Sequence, residues 1–341
     1  MSRAIPVTVL TGFLGAGKTT LLNRLLRQPA MADAAVLINE FGEIGIDHHL
    51  VDKVDDDLVL LDSGCLCCSV RGDLARALRD LFMKRLRREI PAFSRVLLET
   101  TGLADPAPVV YTLLEDFFIA ERFRSDGIVV AVDVTHADVH LSRHLEAVKQ
   151  VAMADRILLT KCDLATPAAI AETARRVARI NPGAPRIEAR GGEVDAAALA
   201  GCGLYDPATK TADVRRWLAE EKVRADAGPA HAHDPQRHDA RVHSFVLRFA
   251  EPFVWAEFAE AMDVLLSTCG DRILRVKGLV NVAGEARPRV VHCVQHVRYP
   301  EASLPDWPDA DRESRLVFIV RDFQREYVEK AFAMFCAADA R

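Results

Sequence analysis

The residues with the clearest chemical meaning lie near the N-terminus, in the stretch Gly12-Phe-Leu-Gly-Ala-Gly17-Lys18-Thr19. This stretch matches the G-x-x-x-x-G-K-[ST] pattern of a phosphate-binding loop. The glycines let the backbone curl so that successive N–H groups point at phosphate oxygens, and the following helix adds its positive dipole end. We expect Lys18 to reach the β- and γ-phosphates and Thr19 to ligate Mg²⁺. A chance glycine-rich turn is disfavoured, because an apolar strand precedes the stretch and an amphipathic helix follows it.

A second stretch, Thr160-Lys161-Cys162-Asp163, is a variant of the N-K-x-D guanine signature. The Asp163 carboxylate can accept hydrogen bonds from N1–H and N2–H₂ of guanine, a donor pair that adenine lacks. A site built around that carboxylate leaves it unpaired against ATP, so the stretch predicts GTP over ATP. Lys161 is expected to lie across the base. The alternative is an ordinary turn at the end of a strand.

A third element, Glu99-Thr-Thr-Gly102, follows the apolar run RVLLE. It occupies the place of the D-x-x-G element of P-loop GTPases, in which the acidic residue holds Mg²⁺ through water and the glycine N–H bonds the γ-phosphate. The alternative is a strand ended by a capping acidic residue. The catalytic candidates are Lys18, Thr19, Glu99 and Gly102, and the nucleotide-binding candidates are Gly12, Gly15, Ala16, Gly17, Lys18, Thr19, Thr20, Thr160, Lys161 and Asp163.

Three of the eight cysteines, Cys65, Cys67 and Cys68, fall within four positions. Thiolates are soft ligands for Zn²⁺, Cu(I) and related ions, and a turn helped by Gly64 can make all three converge. Three thiolates leave the fourth tetrahedral position open, which suits metal transfer better than permanent structure. A structural zinc site completed elsewhere and a redox pair are the alternatives. We interpret the scattered cysteines as buried small hydrophobic residues: Cys162, Cys202, Cys269, Cys293 and Cys336.

Two acidic residues, Glu40 and Glu43, follow the second predicted strand in the segment NEFGEIGID, which ends at Asp47. We expect them on the same rim as the phosphates, as candidate ligands of the transition metal, with Asp47 a candidate for placing the attacking water. A solvated acidic loop explains each single residue nearly as well.

Histidines form a second candidate metal cluster near a polar segment, and they are His231, His233, His238 and His243. A metal-capturing loop and a polar connector are evenly matched explanations. His292 and His296 are predicted on one face of a strand but about 13 Å apart, which is too far to share an ion. We therefore interpret them as structural.

The chain must supply elements that bring these residues together. Short apolar runs ending in polar residues alternate with helical patterns, such as the leucines at 74, 78, 81 and 86. This alternation predicts an α/β fold with a mostly parallel sheet covered on both faces, with functional residues at the carboxyl ends of the strands. The predicted strands are 5–10, 35–39, 58–62, 95–99, 127–133 and 156–160.

The composition changes after about residue 205 and suggests three parts. They are a P-loop domain over 1–205, a His-containing linker over 206–240, and a smaller α+β domain over 241–338. In the last part, we predict strands at 242–249, 272–282, 289–297 and 315–320, and helices at 253–266 and 324–337. Gly270 is the expected stop of the first of these helices.

Length, charge and composition limit the class of protein. The chain has 341 residues and a formal net charge of -5, from 44 basic and 49 acidic residues. This mild acidity gives no reason to expect a nucleic-acid partner, and we interpret the basic helix around Arg76 to Arg88 as solvated. No signal-peptide pattern or membrane-length apolar run is present, so a cytoplasmic location with no membrane partner is the expectation.

The motifs GFLGAGKTT, NEFGEIGID, GCLCC, ETTGLADP and TKCD occur in the order seen in CobW-type metallochaperone GTPases, relatives of the nickel-delivery GTPases. The second half also resembles that family's small C-terminal domain, around Arg275 to Leu279 and at Arg315-Leu-Val-Phe-Ile. The resemblance implies a three-layer G domain and GTP-dependent delivery of zinc, cobalt or another transition metal to a client metalloprotein. It also implies that the cysteine loop lies between two nucleotide-sensing segments, 39–47 and 99–105.

This arrangement suggests a switch in which GTP binding and metal binding are linked. Our hypothesis is that metal is held tightly in the GTP state and released to a client after hydrolysis. Intrinsic turnover is expected to be slow, near the roughly 10⁻⁴ s⁻¹ of unassisted Ras-type GTPases, because no arginine finger is identifiable. The alternatives are a metal-sequestering or sensing protein with nucleotide as a structural ligand, and an ATP-dependent kinase or ligase. The client, the physiological metal and the oligomeric state are not encoded in these motifs.

Overall fold

The computed structural model describes residues 4–39, 60–62, 70–199, 201–202 and 241–336. The chain divides into two compact units, Met1–Arg176 with Ala184–Leu204 and Val177–Gly183 with Tyr205–Arg341. The predicted linker 206–240 lies outside the described residues.

The first unit is built on a parallel sheet. Its strands among the described residues are β1 (Ile5–Gly12), β2 (Ala34–Asn39), β3 (Leu60–Asp62), β4 (Arg95–Thr100), β5 (Phe123–Asp133), β6 (Arg156–Thr160) and β7 (Arg186–Glu188). They are ordered β3-β2-β4-β1-β5-β6-β7, and every recorded pair is parallel. The prediction of an α/β fold with a parallel sheet is confirmed. The short strand β7 was not predicted.

Helices accompany this sheet, and the longer ones present apolar faces to it. They are α1 (Lys18–Leu26), α2 (Val70–Leu86), α3 (Ala107–Glu115), α4 (Phe117–Ala120), α5 (Ala137–Arg143), α6 (Leu145–Met153) and α7 (Pro167–Ile180). The leucines at 21, 22, 25 and 26 of α1 are buried and pack with Leu10, Val36 and Val129 of the sheet. The helical spacing of those leucines is what places them on one face.

The strand register brings the polar strand ends together. Leu10 of β1 lies opposite Glu99 of β4, and Gly12 lies opposite Ala131 of β5. Asp133 at the end of β5 lies opposite Thr160 at the end of β6. Because the strands are parallel, these carboxyl ends form one edge of the sheet, where ligands of open α/β sheets bind.

The second unit contains a smaller antiparallel sheet with two helices. Its elements are β8 (Val242–Phe249), α8 (Trp255–Cys269), β9 (Ile273–Val280), β10 (Arg289–Val294), β11 (Val297–Arg298), β12 (Ala302–Ser303), β13 (Ser314–Arg321) and α9 (Arg325–Cys336). The sheet order is β11-β10-β9-β13-β8, with β12 paired to β10. An aromatic core joins the helices, with the Phe258 and Phe332 rings stacked 5.5 Å apart. This confirms the predicted α+β character.

Two local expectations, for His296 and Cys269, differ from the structure, and the one for Gly270 is confirmed. Strand β10 ends at Val294, so His296 lies in the following turn instead of on the strand with His292. Gly270 ends α8 as expected, in a right-handed conformation with φ of -57°. Glycine fits there because a Cβ atom would approach Nδ1 of His296 to 2.3 Å. Cys269 is half-buried, whereas Cys162, Cys202 and Cys293 are buried as predicted.

Candidate nucleotide site and its surroundings

The phosphate loop connects β1 to α1, and its backbone needs glycine at three positions. Gly12, Gly15 and Gly17 have φ values of 143°, 71° and 82°, in the region that L side chains avoid. At Gly12 a Cβ atom would also lie 2.4 Å from the carbonyl oxygen of Ala131 on β5. Nζ of Lys18 donates to the carbonyl oxygen of Gly12 at 2.9 Å. The lysine ammonium therefore lies over the loop itself, at the first turn of α1.

The first turn of α1 is joined to the end of β4 by a hydroxyl and a carboxylate. Oγ1 of Thr19 donates to Oε1 of Glu99 over 3.0 Å, and the Glu99 side chain is buried. Beside them, the buried hydroxyl of Thr100 donates to Oγ1 of Thr11 over 2.7 Å. Hydroxyl and carboxylate oxygens are the hard donors that Mg²⁺ prefers. This donor set fits a magnesium ion held between Thr19 and Glu99.

Gly102 packs directly against the phosphate loop. A Cβ atom at Gly102 would lie 2.7 Å from the backbone nitrogen of Leu14, so only glycine allows this approach. The carbonyl oxygens of Gly102 and Ala104 both accept hydrogen bonds from Nε2 of Gln150 on α6, at 3.1 and 3.0 Å. Gln150 is buried, and sequence analysis missed it. The available signal was one uncharged polar residue on an otherwise apolar helix face.

The base side of the site is ordered by three hydrogen bonds. Oγ1 of Thr160 donates to the carbonyl oxygen of Ala16 at 2.8 Å, which fixes the end of β6 to the phosphate loop. Lys161 has φ of 57°, and its Nζ donates to Oδ2 of Asp133 at 2.8 Å. Oδ1 of Asp163 accepts from the backbone N–H of Gly191 at 2.8 Å. That hydrogen bond is the main cause of the lowered pKa of Asp163, which remains an exposed, ionised acceptor.

The loop after β7 was not predicted as part of the site. Gly191 and Gly192 have φ values of 59° and 79°, and a Cβ at Gly192 would approach Cγ2 of Thr20 to 3.1 Å. The carbonyl oxygen of Ala189 accepts from the N–H of Cys162 over 3.3 Å. The Gly-Gly pair was the signal in the sequence, but its pairing with the 160–163 turn depends on the sheet order.

Asp133 at the end of β5 is a polar centre that the sequence analysis did not single out. Oδ1 accepts from the N–H and the hydroxyl of Thr135 at 2.8 and 2.6 Å. Oδ2 accepts from Nζ of Lys161 and lies 3.1 Å from Nδ1 of His136. Burial raises the pKa of Asp133, but the hydrogen bonds from Lys161 and Thr135 outweigh it and leave the pKa lowered.

A series of histidines runs along α5 beside the phosphate loop. His136 precedes the helix, His140 lies on it and His144 follows it. The rings of His136 and His140 are stacked with centroids 5.7 Å apart, and those of His140 and His144 lie 6.2 Å apart. Phe13 of the phosphate loop contacts the His140 and His144 rings at 4.8 and 4.6 Å. Burial lowers the pKa of His140.

The predicted transition-metal residues lie outside the described part of the chain. This applies to Cys65, Cys67, Cys68, Glu40 and Glu43, and to Asp47, His231, His233 and His238. Of the cluster near the linker, the structure describes only His243, at the start of β8. Within the described ranges, no three His, Cys, Asp or Glu side chains come together in a group able to hold a metal ion. None of the described helices combines the length and apolar character that crossing a bilayer requires.

Comparison with known proteins gives matches over both units. The model of the CobW/HypB/UreG nucleotide-binding domain matches residues 6–188, and that of the cobalamin synthesis protein cobW C-terminal domain matches residues 242–336. The chain is 34% identical over 329 residues to the zinc chaperone YjiA of Escherichia coli (strain K12), covering 96% of this chain and 98% of that protein. It is 28% identical to the zinc chaperone CobW of Sinorhizobium sp, covering 85% of each. These matches confirm the resemblance inferred from the motifs.

A solved structure extends the similarity to three dimensions. The crystal structure of Zn(II)-bound YjiA GTPase from E. coli matches with a TM-score of 0.71 and 31% sequence identity, covering 98% of this chain and 99% of that one. The arrangement of strands and helices around the candidate site is therefore one that a zinc-bound GTPase also adopts.

Replacing Gln150 with Met tests whether this side chain holds the segment after Glu99. The variant keeps the length of the side chain but removes the donor to Gly102 and Ala104, so two carbonyl oxygens lose a buried hydrogen bond. We expect a loss of about 1–3 kcal/mol in the free energy of unfolding. Amide exchange should also become faster over residues 102–105. Urea unfolding and hydrogen exchange measure the two effects, with Glu146→Gln at an exposed position of the same helix as control. Unchanged exchange at 102–105 would contradict the assignment.

Proposed function

The chain belongs to the CobW/HypB/UreG family of P-loop GTPases, and from this premise we propose that it is a GTP-hydrolysing metallochaperone. In this proposal it binds a transition metal, with zinc as the expected cargo, through Cys65, Cys67 and Cys68 and delivers it to a client protein according to the nucleotide state. The observation that supports it most is the hydrogen bond between Thr19 and Glu99 behind the phosphate loop. That pair joins the loop that would hold the phosphates to the strand end that precedes Gly102.

The phosphate side of the site supports hydrolysis by positioning and electrostatics. The backbone N–H groups of the loop and the ammonium of Lys18 would hold the β- and γ-phosphates. Thr19 and Glu99 would hold Mg²⁺, which when bound neutralises charge on the phosphate oxygens. Gly102 lies against Leu14 of the loop, so its N–H belongs to a segment in direct contact with the phosphate cradle. These groups are prearranged, which is the main requirement of catalysis in phosphoryl transfer.

The base side supports a preference for guanine. Asp163 is an ionised carboxylate whose Oδ1 is oriented by the Gly191 N–H. A carboxylate only accepts hydrogen bonds, so it matches the N1–H and N2–H₂ donors of guanine and finds no such pair on adenine. Thr160 fixes the same turn to Ala16 of the phosphate loop, so base and phosphates would be held at a defined separation.

Metal delivery is proposed from the cysteine motif together with the family. Cys65 follows the last residue of β3, Asp62, by three positions in the sequence, and α2 begins at Val70, two positions after Cys68. Strand β3 belongs to the sheet whose carboxyl edge holds the candidate nucleotide site. The relatives YjiA and CobW are zinc chaperones, which supports zinc as the cargo here. Three thiolates with an open fourth position would allow transfer to a client.

Removal of the Lys18 ammonium tests whether the nucleotide is a substrate. Lys18→Ala should lower GTP turnover by at least about 100-fold, because a charge stabilising the transition state is lost. Phosphate release at saturating GTP measures this, with Lys330→Ala on the exposed face of α9 as the matched control. Absence of turnover in the unmodified chain with Mg²⁺ and Zn²⁺ present would favour a sequestering or sensing protein instead.

Replacing Asp163 with Asn tests base recognition. The amide would present N–H groups toward the guanine donors, so GTP affinity should fall by about 10- to 100-fold, the value of a hydrogen bond to a charged group. Affinity for xanthosine triphosphate, which has a carbonyl where guanine has an amino group, should rise. Calorimetry with GTP, XTP and ATP measures the change, and Glu188→Gln on β7 is the control. Comparable affinity of the unmodified chain for GTP and ATP would contradict the proposal.

Zinc titration in two nucleotide states tests the coupling. We expect zinc affinity to be about 5- to 150-fold higher with a non-hydrolysable GTP analogue than with GDP, the usual range of coupling between sites. The difference should vanish when Cys65, Cys67 and Cys68 are all replaced with Ser. Competition with a chromophoric chelator measures both. Equal zinc affinity in the two nucleotide states of the unmodified chain would rule out nucleotide-driven release.

A further inference from the structure

The histidines along α5 have no role in the nucleotide chemistry described above. Residues four positions apart on a helix lie on one face, and His136 and His140 are so placed, with rings stacked at an interplanar angle of 18°. His136 is largely exposed, at 62% of its side chain, and His140 is half-buried. Two neighbouring imidazoles therefore lie side by side at the surface of the protein, with their ring centroids 5.7 Å apart.

Asp133 orients the first of these rings. Its Oδ2 also accepts a hydrogen bond from the Lys161 ammonium, so it faces His136 as an acceptor. Nδ1 of His136 lies 3.1 Å from that oxygen and 2.8 Å from Oγ1 of Thr135, whose own proton is donated to Asp133. A proton on Nδ1 satisfies both acceptors and leaves the lone pair on Nε2. A carboxylate behind an imidazole is the usual second-layer arrangement at metal sites, where it fixes the tautomer and raises ligand basicity.

We propose that His136 and His140 form a second, open metal site for Zn²⁺ or a similar borderline divalent ion such as Co²⁺. With metal–nitrogen bonds of about 2.1 Å and a tetrahedral angle, two imidazoles on one ion have ring centroids about 5 Å apart. The observed 5.7 Å differs from this by an amount that rotation of one exposed side chain closes. Because the described residues supply no third ligand at this position, water or a ligand from another molecule completes the coordination.

His144 is not part of this site. Its ring is inclined by 70° to that of His140 at 6.2 Å, and it packs against Phe13 of the phosphate loop. His144 is therefore a matched control for His140. It is also a histidine, it lies four positions further along the chain, and its ring also contacts Phe13.

The site has two physical links to the nucleotide pocket. The Asp133 oxygen that faces His136 also accepts from Lys161, the residue expected to lie across the base. The ring of His140 contacts the ring of Phe13, the residue that follows Gly12 in the phosphate loop. A nucleotide that moves Lys161 or Phe13 must alter metal affinity, and metal must alter nucleotide affinity by the same factor. We assign this site the role of holding cargo metal weakly, and that role rests on the proposed function. The two-histidine site itself does not depend on the proposed function.

The test uses the full chain with Cys65, Cys67 and Cys68 replaced by Ser, so that the thiolates do not contribute. Cobalt(II) alone is titrated, and binding is followed by equilibrium dialysis and by visible absorption. We expect at least one equivalent of weakly bound cobalt in this chain. When His136→Gln and His140→Gln are combined, the stoichiometry should fall by one equivalent over the same cobalt range, because that site is weakened at least tenfold. Glutamine keeps a donor toward Asp133. His144→Gln should leave cobalt binding within about twofold, since removal of a true ligand has a much larger effect. Unchanged cobalt stoichiometry in the double variant would overturn the site.

A second measurement does not depend on any variant at the histidines. In the chain with Cys65, Cys67 and Cys68 replaced by Ser and with ¹⁵N-labelled histidine, cobalt should shift the imidazole signals of His136 and His140 before those of His296 in the second unit. Equal response of all histidines would overturn the site. Repeating the titration with GDP tests the link through Asp133 and Phe13, and identical cobalt affinity with and without GDP would refute that link. Cobalt binding in this background is independent of GTP turnover and of the cysteines, so failure of this site and failure of the proposed function give different results.

Discussion

The site depends first on the parallel pairing of β1 with β4 on one side and β5 on the other. That register puts Gly12 against Ala131 and Leu10 against Glu99, so the loop after β1 is confined between the ends of two neighbouring strands. The approach of β5 is close enough that any side chain at Gly12 would strike the Ala131 carbonyl. The curl of the phosphate loop is thus a consequence of sheet packing as well as of its glycines. The Thr19–Glu99 hydrogen bond forms because the helix that follows this loop starts directly in front of β4.

The rest of the pocket is held by polar contacts between segments that are distant in the chain. Gln150 fixes the segment after Glu99 from α6, Thr160 fixes the end of β6 to the phosphate loop, and Gly191 orients Asp163. The first two contacts are buried, where an unmet hydrogen bond costs more than an exposed one, whereas the contact between Gly191 and Asp163 is exposed. The end of β6 and the segment that contacts the loop are therefore held firmly in place. This rigidity favours positioning of phosphates as the source of catalysis.

Asp133 contacts both the lysine on the base side of the nucleotide site and a histidine of the proposed second metal site. One of its oxygens faces both the Lys161 ammonium and the His136 ring, while the other is held by Thr135. Burial of the carboxylate makes this shared contact stronger than it would be in water. In the proposed metallochaperone, a single buried charge between the base-side lysine and a metal-binding imidazole would let nucleotide and metal influence each other without a large movement of the chain.

The sequence by itself determined the fold class, the strands that frame the site and the chemistry of its motifs. These are local properties of the chain. The spacing of apolar residues, the glycine content and a contiguous motif such as Gly12 to Thr19 can all be recognised from residues that are close together in the sequence. Tertiary structure decided the roles of Gln150 and Asp133, whose partners lie up to 48 positions away. It also showed that glycine at 270 allows the close approach of the His296 ring. Such pairings follow from sheet order and helix packing, which place distant residues in contact and which no local pattern encodes.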